Sequence, residues 1–377
     1  MMHRHIALAA LAAGVAACSR DRAITGPAAA TAARLAASAA AADGAPGAVY
    51  TLMNLTSGNA VAIFARAADG TLTVAGTVAT GGTGTGSGLG SQGAVVLSAD
   101  GRWLFAVNAG SNDVSIFRVS PAGLALTSRI PSGGVQPISL TVHGNLLYVL
   151  NGGVSGNIAG FALDANGGAA AIPGSSRALS GTAVGPAQIA FSSDGRSLVV
   201  TEKNTNAIDV YAVGPDGAAT GPVTYASAGG TPFGFAFDLR DELLVSEAAG
   251  TASSYLLGSG GSLTVVSGAV STQQGAPCWL VVTQNGRFAY TANAHSGTIS
   301  GFAVGTDGAL SLLDAGGATA VVGPGNIDLA VSANSRYLYQ LRSSGPITAL
   351  RVENDGHLTT LGVVGTMPGS VAGLVAQ

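Results

Sequence analysis

The chain has 377 residues, of which 57 are glycine and 9% are charged, and its formal net charge is −3 at pH 7. Soluble domains usually contain about 25% charged residues and about 7% glycine, so this composition indicates a fold with many tight turns. A chain with a single lysine, Lys203, lacks the basic face that nucleic acids require, which argues against a nucleic-acid partner.

The N-terminal segment has the pattern of a secretion signal. A basic segment at residues 3–5 precedes an apolar run at residues 6–17, as in the first two regions of a signal peptide. The run ends in Val-Ala-Ala before Cys18, which resembles the lipobox of bacterial lipoproteins. We predict a signal peptide over residues 1–17, lipidation of Cys18 and an Ala-rich tether over residues 18–46. Serine after the cysteine favours the periplasmic side of the outer membrane; a periplasmic or secreted protein is the alternative.

Residues 47–377 repeat one pattern seven times. Each unit has an apolar run, a tight polar turn, a second apolar run and a polar residue at the end of that run. The units recur every 43 to 54 residues, and short strands at this period are typical of propeller blades. The polar residues at the ends of the second runs are Asn54, Asn108, Asn151, Glu202, Glu247, Asn293 and Arg342.

The fourth unit shows the strands most clearly. Residues 186–191 predict a first strand, and Ser-Asp-Gly-Arg at 193–196 predicts a tight turn. Residues 198–202 are rich in β-branched side chains, and residues 207–213 alternate between apolar and polar, so both predict strands. A turn that contains glycine follows the third strand of each unit, and it also occurs seven times.

The two ends of the repeat region complement each other. Residues 368–376 read like a first strand with nothing after it, whereas the first unit begins at its second strand, residues 49–54. A propeller that left these two segments unpaired would expose strand edges. We therefore predict an all-β, seven-bladed propeller closed by a C-terminal strand that completes the first blade.

The order of strands within a blade predicts where a site can lie. The second strands end on one face, here called the top face, so the seven strand-end residues are expected to ring the top mouth of the central channel. The Asp-Gly-Arg turns fall on the opposite, bottom face. Glu202, Lys203, Glu247, His295 and Arg342 form the strongest polar group expected at the mouth. Capping of backbone groups by these residues is the alternative.

Other motifs point to no further chemistry. The segment Gly81–Gly90 has the composition of a phosphate-binding loop but lacks its Gly-Lys-Ser/Thr ending, so we predict a flexible top-face loop. The histidines and cysteines do not have the spacing of metal ligands, so no metal or cofactor is expected. Cys278 is expected to be a buried, inert thiol.

The combination of Ser-x-Asp-Gly-Arg, an apolar run, Asn or Glu, a short loop and an apolar strand resembles bacterial lactonase-type seven-bladed propellers. That group includes propeller-type 6-phosphogluconolactonase and the fungal 3-carboxy-cis,cis-muconate lactonising enzyme. The resemblance covers about residues 48–377, and its clearest segments are 198–203, 231–238 and 289–293. The Pro-His pair that often begins the first strand in this group is absent, because proline is followed by Ile138, Ala187, Phe233 or Cys278.

The resemblance implies that a group of His, Arg and Glu side chains at the channel mouth serves a lactone. By this reasoning Glu202 or Glu247 activates water, His295 is an alternative base, and Arg342 stabilises the oxyanion. The substrate-binding residues implied with them are Asn108, Asn151, Lys203, Phe233 and Asn293.

Three functions remain open from the sequence. The first is a lactonase-like hydrolase of a small or sugar-derived lactone. The second is a non-catalytic envelope lipoprotein whose top face binds a small molecule or an envelope protein. The third is a purely structural envelope lipoprotein. We expect a monomer that contacts the membrane only through its lipid anchor.

Overall fold

The computed structural model describes residues 45–153 and 155–377, so the predicted signal peptide, Cys18 and nearly all of the predicted tether lie outside the described residues. Within the described part, 30 β-strands form seven sheets. No helix that could span a membrane occurs among these residues.

The first three blades are given from the inside outward. Blade 1 contains β1 (Gly47–Leu52), β2 (Ala60–Arg66) and β3 (Leu72–Ala79). Blade 2 contains β4 (Val95–Leu97), β5 (Trp103–Asn108), β6 (Asp113–Ser120) and β7 (Gly123–Pro131). Blade 3 contains β8 (Pro137–His143), β9 (Leu146–Asn151), β10 (Asn157–Leu163) and two short outer strands, β11 (Ala169–Ala171) and β12 (Arg177–Ala178).

The remaining blades follow the same order. Blade 4 contains β13 (Pro186–Phe191), β14 (Ser197–Glu202), β15 (Ala207–Val213) and β16 (Ala219–Ala226). Blade 5 contains β17 (Pro232–Phe237), β18 (Glu242–Glu247), β19 (Thr251–Leu257) and β20 (Leu263–Ser271). Blade 6 contains β21 (Pro277–Val282), β22 (Phe288–Asn293), β23 (Thr298–Val304), β24 (Leu310–Leu312) and β25 (Ala320–Val321). Blade 7 contains β26 (Asn326–Val331), β27 (Tyr337–Arg342), β28 (Ile347–Val352) and β29 (Leu358–Val364).

The C-terminal strand β30 (Ala372–Ala376) closes the ring. It pairs antiparallel with β1 as the innermost strand of blade 1. The hydroxyl of Thr51 donates to the carbonyl of Gly373 at 2.6 Å, and the amide of Gln377 donates to the carbonyl of Ala48 at 2.9 Å. The predicted seven-bladed propeller and its closure by the C-terminal strand are both confirmed.

The turns that the sequence predicts on the bottom face are held by short polar side chains. In blade 4 the hydroxyl of Ser192 donates to Asp194 Oδ1 at 2.7 Å, and the amide of Arg196 donates to the same oxygen at 2.9 Å. Gly195 adopts a φ of 72°, which a residue with a side chain rarely adopts. The Ser-x-Asp-Gly-Arg motif is therefore a turn sequence, and its arginine lies on the bottom face, away from the top face.

The glycine turns of the outer strands connect neighbouring blades. Tyr148 in blade 3 donates its hydroxyl proton to the carbonyl of Gly217 in blade 4 at 2.7 Å. Tyr290 makes the same contact from blade 6 to Gly356 in blade 7 at 2.7 Å. A Cβ at Gly356 would lie 2.5 Å from the ring of Phe288, so a larger residue does not fit there. The glycines of all seven outer turns have a positive φ, between 78° and 111°, which explains why glycine recurs there.

The inner strands surround a central channel of about 270 Å³. Each inner strand is the edge of its own sheet, so one row of its backbone groups lacks a strand partner. Side chains of neighbouring blades satisfy these groups: Gln188 Nε2 donates to the carbonyl of Phe235 at 2.9 Å, and the amide of Phe235 donates to Gln188 Oε1 at 2.7 Å. The polar residues on the inner strands therefore join blades to each other.

Candidate functional site

The top end of the channel is closed by the segment between β3 and β4, residues 80–94, here called the plug loop. From it, the side chain of Gln92 crosses to blade 6, where Nε2 donates to the carbonyl of Leu280 at 2.8 Å and Oε1 accepts from the amide of Leu280 at 3.0 Å. Blade 6 lies across the ring from blade 2, so this side chain spans the channel. The amide bridge of Gln92 thus closes the top of the channel.

Three further contacts hold the same end of the plug loop. The indole Nε1 of Trp279 donates to the carbonyl of Ser91 at 2.9 Å, and the hydroxyl of Ser91 donates to the carbonyl of Ile138 at 2.7 Å. The amide of Gln92 donates to the carbonyl of Ala187 at 3.1 Å. These contacts lie just beyond the loop predicted from the sequence, residues 81–90, and they tie residues 91 and 92 to blades 3, 4 and 6.

Lys203 and Phe233, two of the predicted binding residues, lie together beneath the plug loop. The ammonium of Lys203 donates to the carbonyl of Gly90 at 2.6 Å and lies 4.9 Å from the ring centre of Phe233. The rings of Phe233 and Trp279 are 4.9 Å apart. Burial lowers the pKa of Lys203. The structure therefore brings a desolvated cation and two aromatic rings to one place on the top face.

Glu202 has a different environment from the one that its position in the repeat suggested. Its side chain is fully buried and accepts hydrogen bonds from the amide of Ser180 at 3.0 Å and from the hydroxyl of Thr205 at 2.7 Å. The hydroxyl of Ser180 is a third donor to it. All of these groups lie outside the ring of inner strands, so Glu202 caps the segment that enters blade 4.

Glu247 repeats this arrangement in blade 5. Its fully buried carboxylate accepts from the amide of Gly229 at 2.8 Å, from the hydroxyl of Ser253 at 2.6 Å and from that of Ser227 at 3.1 Å. Thr251 is a fourth donor. A carboxylate surrounded by donors and removed from solvent is poorly placed to take a proton from a water molecule. The contacts of both glutamates therefore favour the capping alternative over a general base.

The predicted asparagines are also hydrogen-bonded to protein groups around them, in their own blades or the preceding ones. Asn108 Nδ2 donates to Asp113 Oδ1 at 2.6 Å and to the hydroxyl of Ser115 at 2.8 Å, and Asn293 Nδ2 donates to the hydroxyl of Ser300 at 2.9 Å. Asn151 Nδ2 donates to the carbonyl of Ser132 at 3.2 Å, and Asn54 lies two residues beyond β1. These side chains are buried, so they do not form the open ring that we expected around the mouth.

His295 and Arg342 remain available on the top face. His295 is exposed in the loop after β22, and Arg342 is partly exposed at the end of β27. The segment 323–325 connects their loops: the amide of Gly325 donates to the carbonyl of Ala294 at 3.2 Å, and the amide of Ser343 donates to the carbonyl of Gly325 at 2.8 Å. The structure thus places this histidine and this arginine on adjacent loops that share one short segment.

The first residues of the inner strands make the mouth apolar. Ile138, Ala187, Phe233 and Cys278 follow the prolines that begin these strands in blades 3 to 6, and all four are buried. Burial raises the pKa of the Cys278 thiol to about 12, so this buried thiol is neutral. Among residues 45–153 and 155–377, no cluster of three or more His, Cys, Asp or Glu side chains could hold a metal ion.

Two residues important to the top face were missed in the sequence. Asp209 lies beside Glu202 and shares its donor, because the amide of Ser180 donates to both carboxyl groups at 3.1 Å and 3.0 Å. Its signal is a spacing: Asp209 is seven residues after the strand end, as Ser115 is after Asn108. The sequence around Gln92 gave no indication of its role, because no local pattern shows that its hydrogen-bond partner lies across the ring.

Seven four- or five-stranded sheets around a plugged channel define a seven-bladed propeller, and cationic and aromatic side chains lie together on its top face. The family model described as "Lactonase, 7-bladed beta-propeller" matches residues 47–178, 169–249 and 245–326. The chain belongs to this family, and it is a lactonase-like propeller. The resemblance that the sequence suggested is therefore confirmed.

Individual relatives agree with this assignment. A 6-phosphogluconolactonase from Serratia proteamaculans is 28% identical over 279 residues, which cover 68% of this chain and 79% of the relative. The periplasmic gluconolactonase of Pseudomonas aeruginosa has a similar structure, with a TM-score of 0.69 at 19% identity, and the match covers 88% of this chain and 98% of the other. A Lactobacillus plantarum protein matches with a TM-score of 0.69 at 16% identity, covering 87% and 98%. Structural similarity at these identities supports the fold alone.

Proposed function

We propose that this protein hydrolyses a small or sugar-derived lactone at the top face, with His295 and Arg342 as the reacting pair. The link between their loops through residues 323–325 is the observation that supports this best. It connects the loop of blade 6 that carries the exposed imidazole to the loop of blade 7 next to the partly exposed guanidinium. Family membership supports the reaction class.

The chemistry requires two groups. A base takes a proton from water as the water oxygen adds to the lactone carbonyl, and a cation stabilises the negative charge that develops on the carbonyl oxygen. The base then returns this proton to the ring oxygen as the bond between that oxygen and the carbonyl carbon breaks, and a hydroxy acid forms. In this proposal His295 is the base and Arg342 stabilises the oxyanion, whereas Glu202 and Glu247 hold the top-face loops in place.

Proton release by the wild-type protein tests the proposal. Gluconolactone, 6-phosphogluconolactone and γ-butyrolactone are supplied in weak buffer with a pH indicator, because each hydrolysed lactone releases one proton. We expect at least one of them to open faster than its spontaneous rate, and a variant with both His295→Gln and Arg342→Met is the matched control. Spontaneous rates for the whole panel would contradict hydrolysis.

A binding module is the second candidate, and two observations favour it. Apolar residues such as Ile138 and Ala187 begin the inner strands, and the plug loop fills the mouth that a deep active site would use. If this reading is correct, sugar acids and lactones raise the melting temperature of the protein without being consumed. The same lactone panel therefore separates the two functions.

We also propose that Cys18 anchors the protein in the bacterial envelope, on the strength of the signal pattern that precedes it. Cells that express the full chain and are fed labelled palmitate should incorporate label into the wild type and not into Cys18→Ser. Equal labelling of both proteins, or release of the wild type into the periplasm, would contradict the anchor.

A further inference from the structure

The ammonium of Lys203 is hydrogen-bonded to a neutral carbonyl, although a partly buried ammonium usually has a carboxylate as its partner. It donates to the main-chain carbonyl of Gly90, and the ion pairs found among the described residues do not include it. The neighbouring carboxylate, Glu202, is turned away and bound by Ser180 and Thr205. Partly buried cations are usually paired with an anion, so the charge of Lys203 is left uncompensated.

The surroundings of Lys203 strengthen any charge interaction made there. The ring of Phe233 lies 4.9 Å from the ammonium, and Trp279 packs against that ring. The adjacent thiol of Cys278 is buried and neutral. Apolar walls lower the local dielectric constant, so an opposite charge brought to this point is attracted more strongly than in water.

The carbonyl that accepts from Lys203 belongs to a short stretch of the plug loop, residues 88–90, that lies between two points at which the loop is held. On one side, Asn54 Nδ2 donates to the carbonyl of Ser87 at 2.6 Å. On the other side, Ser91 and Gln92 are hydrogen-bonded to the inner strands. Between these points, a Cβ added at Gly88 would meet no atom within 4 Å, and Gly90 has a φ of 59°. Moving the Gly90 carbonyl therefore leaves both ends of the loop in place.

We propose that Lys203 is an anion-binding group, and that a carboxylate or phosphate oxygen of a small ligand replaces the Gly90 carbonyl on its ammonium. The Gly90 carbonyl satisfies one donor of the ammonium but leaves its positive charge without a counter-ion, whereas an anion supplies both an acceptor and the opposite charge. This deepens the proposed function, because in a lactone hydrolase the anion is a substituent of the substrate or the carboxylate of the product. The binding itself does not depend on turnover.

Lys203 is the single lysine of the chain, which allows a direct test. Protein labelled with ¹³C at the lysine ε-carbon gives one lysine signal, which is followed by NMR during titration with inorganic phosphate, acetate or gluconate. Sodium chloride at equal ionic strength is the control. We expect a saturable change in the signal and a higher pKa of the amine with at least one of these anions; the phosphate and carboxylate arms identify which group binds.

Two variants complete the test. Lys203→Met should lose saturable anion binding, measured by calorimetry, with affinity at least about tenfold weaker because a charge-assisted hydrogen bond is removed. Arg196→Ala, which removes an exposed charge from a bottom turn, should bind as the wild type does. A lysine signal that responds to every anion as it does to chloride would overturn the proposal even if lactones are hydrolysed. A saturable response without turnover would uphold it and contradict hydrolysis.

Discussion

At the scale of single residues, the strand-end positions show how one repeat position can hold different side chains for the same purpose. Asn108 donates to a serine hydroxyl seven residues later, and Asn293 does the same with Ser300. In blade 4 the corresponding pair is Glu202 and Asp209, two fully buried carboxyl groups. Two carboxylates cannot donate to each other, so this pair requires a proton that the other blades do not need.

The carboxyl pair of blade 4 makes stability depend on pH. Burial, and then the neighbouring Glu202, raise the pKa of Asp209 from 3.8 to about 7. The folded protein holds a proton that the unfolded chain has released, so this stabilising contribution is complete below pH 3.8 and is lost as the pH rises through about 7. The buried hydroxyl of Tyr211 also faces the pair.

The hydroxyl of Thr224 donates to Asp209 Oδ1 at 2.6 Å. We expect Asp209→Asn to remove the pH dependence, because an amide donates to Glu202 at any pH and its oxygen still accepts from Thr224. Melting temperatures measured between about pH 5 and about pH 8 should fall for the wild type and stay flatter for the variant. Asp216→Asn, at an exposed turn of the same blade, is the control and should follow the wild type. Parallel curves for wild type and Asp209→Asn would contradict the shared proton.

At the scale of elements, the plug loop is the feature that departs most from the plain repeat. The other inner strands are joined by contacts to the next blade, such as that of Gln188 with Phe235. Gln92 makes the same pair of hydrogen bonds, but to a strand across the channel. The plug loop thus makes the same kind of hydrogen-bonded contact that joins adjacent blades, but here the contact crosses the channel and closes it.

Gln92→Ala should destabilise the protein, because it leaves the buried amide and carbonyl of Leu280 unpaired, at about 1–3 kcal/mol for each unsatisfied group. Denaturant unfolding measures the loss. Gln188→Ala removes the matching contact between adjacent blades and should cost a similar amount. If Gln92→Ala unfolds like the wild type while Gln188→Ala does not, the plug loop contributes no stability, and its closure of the channel is incidental.

At the scale of the whole molecule, closure of the ring decides whether seven blades behave as one unit. Strand β30 covers the edge of β1, and Leu374 within it and Val371 just before it pack into the core between blades 1 and 7. Without it, β1 would present free backbone groups and apolar side chains to solvent.

Deletion of residues 368–377 should therefore abolish a single cooperative unfolding transition and cause aggregation, as measured by calorimetry and light scattering. The milder variant Leu374→Ala keeps the strand pairing and should cost about 2–5 kcal/mol through the cavity it creates. A truncated protein that melts and remains soluble like the full chain would contradict closure by this strand.

The sequence predicts the fold well and the site poorly, for a physical reason. Strands and turns depend mainly on the local sequence. Pro186 marks the start of a strand, the Ser-x-Asp-Gly-Arg motif forms a turn, and the alternation of residues 207–213 favours a strand. The direction of the Glu202 side chain depends instead on Ser180, which reaches it from the segment between two blades. The partner of Gln92 lies across the ring, 188 residues away along the chain. No local pattern encodes either contact.

The central claim is that the top face hydrolyses lactones through His295 and Arg342, and kcat/KM for the lactone that the wild type opens fastest tests it most directly. His295→Gln and Arg342→Met should each lower kcat/KM on the order of 10²-fold or more, because each removes a group that acts in the transition state. Glu247→Gln, which keeps the size of a capping side chain, and Arg196→Ala, on the bottom face, should retain most activity. Full activity in both His295→Gln and Arg342→Met, or no turnover of any lactone by the wild type, would contradict the account.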